Sequence, residues 1–172
     1  MTPSQRAAFA DFATARGAAL HRAAYLMVGD AHLAEDLVQE ALSRVYAAWP
    51  RVREPEAYAR RAITTTAISW MRRKAWAERP VDLVAEPGTA VDGSTEVASR
   101  LDLWSALGAL PPRQRAAVVL RYFEDLTEAQ TAQAMGCSVG TVKSQVSAAI
   151  AKLRDSLTTD TPLAIDSVGE FS

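Results

Sequence analysis

Polar side chains near residue 140 could read the edges of DNA bases. The stretch SVGTVKSQVSAAIAKLR, from Ser138 to Arg154, predicts a helix with a spaced apolar face. Its N-terminal half presents an exposed polar set: Thr141, Lys143, Ser144, Gln145 and Ser147. Hydroxyl, amide and ammonium groups hydrogen-bond both phosphates and base edges. The first chemistry that these residues indicate is therefore recognition of nucleic acid.

The residues before this helix have the spacing of a helix-turn-helix. A helix predicted from Thr127 to Met135 carries the small Ala132 where a second helix must cross closely. Gly136, four residues later, can adopt the left-handed conformation that ends a helix. Ser138 is a natural N-cap, and the apolar Val142 follows the glycine by six residues. This pattern is typical of a helix-turn-helix whose second helix enters the major groove, although a plain helical hairpin remains the alternative.

A second polar face lies on the helix predicted from Pro55 to about Ala77. One side is mostly apolar: Ala59, Ile63, Thr66 and Trp70. The opposite side combines arginines with short hydroxyl side chains and one isoleucine: Arg61, Thr64, Thr65, Ile68, Ser69 and Arg72. Such a face could grip phosphates and base edges, or could simply be solvated. Tyr58 and Trp76 could stack on unpaired bases, whereas core packing is the better interpretation of Trp70.

An acidic face precedes this basic segment. Residues 27–50 carry a net charge of −3, and residues 51–79 carry a net charge of +5. The acidic and amide side chains lie on one face of a predicted helix: Glu35, Asp36, Gln39 and Glu40. The residue chemistry alone favours a solvated stripe. The alternative is a docking surface for a basic partner helix.

Helical patterns dominate the chain, so the sequence predicts an all-α fold. Helices are expected over about 3–28, 31–48, 55–77, 96–110, 112–123, 127–135 and 138–157. Capping boxes mark two of the starts, at Thr2 and Thr127, and Gly17 is a candidate break in the first helix. Residues 78–94 hold two prolines, two glycines and no helical stripe. Two small helical domains joined by a flexible linker are therefore expected.

Composition excludes several classes of protein. One cysteine, Cys137, excludes a disulfide within the chain and, with only two histidines, argues against a four-ligand zinc site. No Gly-rich phosphate loop, His–Glu metal pair or nucleophile elbow is present, so we expect no enzyme, cofactor or metal. The apolar stretch Ala18–Val28 is shorter than the roughly 20 residues of a membrane span. We expect a cytoplasmic protein without membrane insertion.

These stretches, in this order, resemble a bacterial RNA polymerase sigma factor of the extracytoplasmic-function type, within the sigma-70 family. AEDLVQEALSRVYAAW is similar to region 2.2, and EAYARRAITTTAISWMRRK is similar to regions 2.3 and 2.4. ALPPRQRAAVVLRYFEDLTEAQTAQAMGCSVGTVKSQVSAAIAKLR is similar to region 4, and the SWMRR and GTVKSQ variants resemble an actinobacterial subgroup. The resemblance implies region 2 over 1–79, a linker over 80–95, region 4 over 96–157 and an acidic tail over 158–172.

The resemblance also implies partners and site residues. The partners are core RNA polymerase, through its β′ clamp helices and β flap, promoter DNA, and an anti-sigma factor as a further candidate. The implied polymerase contacts are Asp36, Leu37, Gln39 and Glu40. The implied contacts to the −10 element are Arg51, Arg53, Arg61, Thr64, Thr65, Ser69, Arg72 and Arg73, with the loop 51–54 holding a flipped nucleotide. The implied contacts to the −35 element are Thr141, Lys143, Ser144, Gln145 and Ser147.

Departures from the family pattern weaken the expected DNA contacts. Many relatives carry asparagine and aspartate at the positions that Thr65 and Ser69 occupy in this chain. Many also carry arginine at the position of Gln145 and basic residues at the positions of Ala148 and Ile150. We therefore expect weak binding to the −35 element by this chain alone, and a need for core polymerase to add avidity. A stand-alone helix-turn-helix regulator is the alternative, although residues 1–80 show neither a clean heptad nor a clustered polar pocket. A helical interaction protein that binds no DNA is a third possibility, against which the basic segment argues.

Overall fold

Seven α-helices and one π-helical turn make up the computed structural model, which describes residues 1–77 and 102–160. The helices are α1 (Pro3–Val28), α2 (Ala31–Ala48), α3 (Pro55–Ala77), α4 (102–108), α5 (Pro112–Val118), α6 (Glu128–Met135) and α7 (Val139–Asp160). The π-helical turn, Val119–Phe123, continues α5. The described residues contain no strand, which confirms the all-α prediction. The predicted linker, 80–95, lies outside the described residues.

Local sequence signals place several of the helix ends. Thr2 and Thr127 each form the predicted capping box, in which the threonine hydroxyl accepts from the third helical N–H and the glutamine side chain accepts from the cap N–H. Gly29 ends α1 in the left-handed region, at φ 70°. The candidate break at Gly17 is wrong, because α1 continues through it. A mid-helix glycine costs only about 1 kcal/mol, and the residues that follow pack in the core.

The last helix runs further than predicted. We expected a polar tail from Thr158, but α7 continues to Asp160. Neither glycine nor proline occurs between Gly140 and Pro162, so no residue in this stretch stops the helix. The rest of the predicted acidic tail, 161–172, lies outside the described residues.

Helices α1 to α3 form an N-terminal bundle. Its buried side chains include Met27 on α1, Val45 on α2, and Ala59 and Ile63 from the predicted apolar side of α3. Leu37, an implied polymerase contact, also lies in this core. The acidic face of α2 is exposed to solvent, while the opposite side of the helix packs in the core of the bundle.

Helices α4 to α7, with the π-helical turn, form a C-terminal bundle. Within it, α6 and α7 make the predicted helix-turn-helix: Ala132 is buried, Gly136 is left-handed at φ 66°, and Val142 is fully buried. The Ser138 hydroxyl accepts from the Thr141 N–H at 3.1 Å, as expected of an N-cap. The spacing read from the sequence therefore corresponds to a real turn between two packed helices.

The two bundles contact each other directly. Helix α3 packs against α5 and α6, and α1 packs against α5 and the π-helical turn. One hydrophobic core runs across this contact, joining Ile63 and Ile68 of α3 to Leu120 and Met135 of the C-terminal bundle. The ring of Tyr25 on α1 meets that of Trp104 on α4 edge-on, at 4.9 Å between centroids. We call this contact the bundle interface.

Candidate functional site

The acidic surface of α2 carries three of the four implied polymerase contacts. Asp36, Gln39 and Glu40 are exposed, and Leu37 lies beneath them in the core. Glu40 forms an ion pair with Arg44 one turn further along the helix. Asp36 makes no hydrogen bond or ion pair with any residue in 1–77 or 102–160, so its carboxylate is available to a partner. Leu37 packs in the core of the bundle, and its side chain does not reach the surface.

The loop before α3 and the outer side of α3 present arginines to solvent. Arg51 and Arg53 are exposed in the loop, and Arg61, Arg72 and Arg73 are exposed on the helix. The Thr65 hydroxyl donates to the Arg61 carbonyl at 2.8 Å, so it is turned towards its own backbone. Ser69 is half-buried. The exposed polar groups of this segment are therefore mainly guanidinium groups, while the hydroxyl groups of Thr65 and Ser69 are less accessible.

Two residues of the predicted outer face of α3 are buried. Thr64 is 0 % exposed and Ile68 belongs to the core that crosses the bundle interface. The prediction that both face outward is wrong in this arrangement, because α3 packs on two sides. Helices α1 and α2 cover the first side, and α5 and α6 of the C-terminal bundle cover part of the second.

Trp70 packs against the core, as interpreted from the sequence, and the Lys74 ammonium lies 5.0 Å from the centroid of the indole ring. Tyr58 is exposed near the start of α3, where a base could stack on it. Trp70 is therefore a structural residue, whereas Tyr58 is accessible to a binding partner. The Trp76 side chain lies outside the described part of the structure.

The start of α7 presents the predicted polar set. Lys143, Ser144 and Ser147 are exposed, and Thr141 and Gln145 are half-buried. Some of the hydroxyl groups have local partners: Thr141 shares a hydrogen bond with the Ser138 hydroxyl at 2.9 Å, and Ser144 donates to the Thr141 carbonyl at 2.9 Å. Among the exposed side chains of this set, Lys143 and Ser147 make no hydrogen bond within the described part of α7, so they are the best placed to contact a base or phosphate.

The two basic surfaces lie close together. The guanidinium of Arg61 lies over the turn of the helix-turn-helix, where a β-carbon built on Gly136 would be 3.6 Å from Nη2 of Arg61. The structure thus brings one predicted −10 contact next to the turn before the predicted −35 helix. Neither periodicity nor motif spacing predicts this proximity, because the two residues are 75 positions apart.

Sequence reasoning missed two exposed aromatic side chains in the π-helical turn. Tyr122 is 57 % exposed and Phe123 is 41 % exposed. Tyr122 lines a groove of about 470 Å³ along α7, which Val146 and Ile150 share with the charged Lys143 and Arg154. The signal was the RYF run after an apolar helix, and both rings belong to the π-helical turn. Exposed aromatic residues are enriched at protein-binding surfaces.

Comparison with protein families gives two matches in chain order. Residues 12–77 match the model of sigma-70 region 2, and residues 100–153 match the model of sigma-70 region 4. Together they cover more than half of the chain. The boundary between the two matches falls where the sequence predicts a linker.

Several curated proteins are similar over most of this chain. It is 40 % identical to the RNA polymerase sigma-E factor of Streptomyces avermitilis, over 87 % of this chain and 84 % of that protein. It is 38 % identical to the RNA polymerase sigma-E factor of Streptomyces coelicolor, over 87 % of this chain and 85 % of that protein. It is 33 % identical to the ECF RNA polymerase sigma factor SigL of Mycobacterium tuberculosis, over 80 % of this chain and 81 % of that protein.

Solved structures share the fold. The sigma factor RpoE of Bartonella quintana, in complex with the anti-sigma factor NepR, matches with a TM-score of 0.69 at 23 % identity, over 89 % of this chain and 98 % of that chain. CnrH, in complex with the cytosolic domain of CnrY, matches with a TM-score of 0.63 at 24 % identity, over 91 % of each chain. No helix within residues 1–77 or 102–160 is long and apolar enough to cross a membrane.

Proposed function

The chain belongs to the extracytoplasmic-function sigma factors of the sigma-70 family, and from this membership we propose that it binds core RNA polymerase and directs it to promoters by contacting their −10 and −35 elements. One observation supports this proposal above the others. A single chain carries an acidic helix face, a set of exposed arginines and a helix-turn-helix with an exposed polar surface. The proposed place of action is the cytoplasm, where core polymerase works.

We propose that α2 docks on the β′ clamp helices through Asp36, Gln39 and Glu40. Three exposed polar side chains on one rigid helix face suit a basic partner surface, since opposite charge steers association and fixes the register. The exposed Tyr122 and Phe123 are the proposed contact for the β flap, because aromatic side chains anchor many protein interfaces. An anti-sigma factor is a further proposed partner.

We propose that the −10 element is contacted by α3 and by the loop before it. Arg51, Arg53, Arg61, Arg72 and Arg73 would bind phosphates and base edges, with Thr65 and Ser69 beside them. The loop would hold a base flipped from the stack, with Tyr58 available for stacking. Thr64, which is buried, could join this contact only after the bundle interface opens.

Gel filtration with core polymerase tests the proposal against its alternative. We expect the chain to co-elute with core in a one-to-one complex, and to bind promoter duplex weakly when core is absent. A stand-alone regulator would show the reverse: tight, salt-resistant binding to promoter DNA and no complex with core. That second pattern would contradict the sigma-factor proposal and support the regulator.

Replacing Lys143 by alanine is expected to weaken binding to a −35 duplex. Lys143 is exposed, and its ammonium lies 3.7 Å from the Glu128 carboxylate, a surface pair that costs little to break. Losing one phosphate contact should reduce the slope of log K against log [salt] by about 1. Fluorescence anisotropy of the full chain over a range of low salt concentrations measures this slope.

Lys152→Ala is the matched control for this experiment. Lys152 is exposed on the same helix, but nine residues further along, which turns it about 180° away from Lys143. The control should keep the wild-type slope. Equal effects of the two substitutions would mean that α7 binds DNA only through its overall charge, and that Lys143 is not a specific contact.

A further inference from the structure

The groove along α7 combines apolar side chains with a basic rim. Val142, Val146 and Ile150 line it at successive turns of the helix; the first is fully buried and the other two are half-buried. The charged side chains that line it are Arg121, Lys143, Arg154 and Glu128. Three cations and one carboxylate give a net charge of +2, so this groove, which we call the α7 groove, suits an occupant that is both apolar and acidic.

The α7 groove is open to solvent on the side of its charged residues. Tyr122, at its edge, is 57 % exposed, and the side chain of Lys143 is 64 % exposed. The Lys143 ammonium lies 3.7 Å from the Glu128 carboxylate, and an exposed pair of this kind contributes little to stability. An incoming carboxylate can therefore replace Glu128 as the partner of Lys143.

The chain itself supplies a segment of matching chemistry. Residues 161–172 read TPLAIDSVGEFS, with two acidic residues, Asp166 and Glu170, and no basic residue, which gives a net charge of −2. Apolar residues recur three positions apart, at Ile165, Val168 and Phe171. Both the sign of the charge and the apolar content of this segment are complementary to the α7 groove.

This segment follows directly on α7 and is long enough to reach along the whole groove. Helix α7 ends at Asp160, and Lys143 lies 17 positions earlier. At 1.5 Å per residue, the way back from Asp160 to Lys143 is about 26 Å. The twelve residues from 161 to 172 can span at most about 40 Å. A turn at the start of the segment therefore still leaves enough chain to pass Ile150, Val146 and Lys143.

We propose that residues 161–172 fold back along α7 and occupy the α7 groove. Ile165, Val168 and Phe171 pack on its apolar side chains, and Asp166 and Glu170 lie at its basic rim. The occupant is the segment of the same chain, because its attachment to the end of α7 holds it next to the groove.

Docking of this segment covers groups that the proposed function uses, so the following consequence rests on that function. The segment competes with the −35 element for Lys143 and Ser147, and with the β flap for Tyr122. Binding of core polymerase at Tyr122 therefore displaces the segment and frees the start of α7 for DNA. The free chain is thereby kept from binding −35 sequences before it has bound core.

Attachment to α7 lets the segment fill the groove even if its intrinsic affinity is low. A short connection holds it at an effective concentration on the order of 1 mM, so a dissociation constant of about 0.1 mM leaves the groove occupied in about nine of ten molecules. A DNA contact that requires the free groove is then weakened about tenfold.

Paramagnetic broadening in the full chain tests the contact directly. A nitroxide label is placed on Ser167→Cys after Cys137→Ser removes the native thiol. It should broaden the methyl signals of Val146 and Ile150. Val45 on α2 is the internal control, because α2 packs on α1 and α3, and its methyl signals should keep their intensity. Groove methyl signals of full intensity would overturn the proposal.

A mixing experiment identifies which chain supplies the segment. Isotope-labelled chain without nitroxide is mixed with spin-labelled chain that carries no isotope. The proposal predicts no broadening of Val146 and Ile150 in this mixture. Broadening as strong as that within one chain would assign the groove to the segment of a second copy and would overturn the contact within the chain.

Shortening the chain to Asp160 provides a measurement without any cysteine substitution. Binding to a −35 duplex should strengthen about tenfold, because the groove is then always free. Replacing Ile165, Val168 and Phe171 by serine together should have a similar effect, although it leaves the charge unchanged. Asp11→Lys is the matched control for charge: like the deletion it adds +2, but Asp11 is exposed on α1, and the variant should bind DNA as the parent does.

These variants separate docking from a general effect of charge. If Asp11→Lys strengthens DNA binding as much as the deletion, or if the triple serine variant binds as the parent does, the segment acts only through its net charge and docking in the groove is wrong. If neither the parent nor the shortened chain binds the duplex, the proposed −35 contact fails, and the methyl signals alone decide whether the segment lies in the groove.

Discussion

Replacing Asp36 by arginine is expected to weaken binding to core RNA polymerase roughly a hundredfold or more, since a like charge placed in a charged interface costs several kcal/mol. Asp36 is exposed at the centre of the acidic face of α2, and no described residue pairs with it. Its neighbours beneath, Leu37 and Val38, are buried, so the helix surface cannot move away from a repulsive partner. Titration of labelled chain with core polymerase, followed by anisotropy, measures the loss.

Asp11→Arg is the control for this charge reversal. Asp11 is exposed on the N-terminal half of α1, away from the proposed polymerase contact, and its substitution changes the net charge by the same amount. It should bind core as the parent does. Both variants should unfold at the parent temperature, because both positions are exposed. If Asp36→Arg binds core with the parent affinity, the docking face on α2 is wrong.

The second large effect is expected from Arg72→Ala combined with Arg73→Ala. Both arginines are exposed and consecutive in the sequence near the end of α3. Each bidentate contact from an arginine to a base edge contributes about 1–3 kcal/mol, so the double variant should form open promoter complexes about a hundredfold less readily. Its affinity for core polymerase should not change, because the proposed docking face lies on α2.

Arg6→Ala combined with Arg113→Ala removes the same charge from exposed positions outside the proposed sites. Footprinting with a base-reactive probe, on a promoter melted by the assembled polymerase, compares the two double variants directly. Normal melting by the Arg72/Arg73 variant would show that α3 does not contact the −10 element. Equal defects in both would show that only total charge matters.

Local patterns were enough to predict the helix-turn-helix. A small residue, a glycine and an apolar residue at the spacing of Ala132, Gly136 and Val142 define how closely two helices can cross and where the first must end. The structure places all three as expected. The capping boxes at Thr2 and Thr127 could likewise be predicted from the sequence, because each depends on two residues only three positions apart.

The bundle interface could not be predicted in the same way. Periodicity on α3 shows which side is apolar, but it does not show that a second bundle covers Thr64 and Ile68 from the other side. The residues that cover them lie some 50 to 70 positions later, and nothing in the local sequence of α3 encodes them. For the same reason, the sequence gives no sign that Arg115 is buried. Its burial arises from tertiary packing.

Run-off transcription with core polymerase on a library of genomic promoter fragments tests the central claim most directly. The account predicts that core alone is silent on most fragments, and that adding this chain produces discrete transcripts from fragments sharing a −10 and a −35 element. Asp36→Arg should abolish those transcripts and Asp11→Arg should retain them. An unchanged transcript pattern, from a chain shown to be folded and present in excess over core, would contradict the assignment of this chain as a promoter-directing subunit.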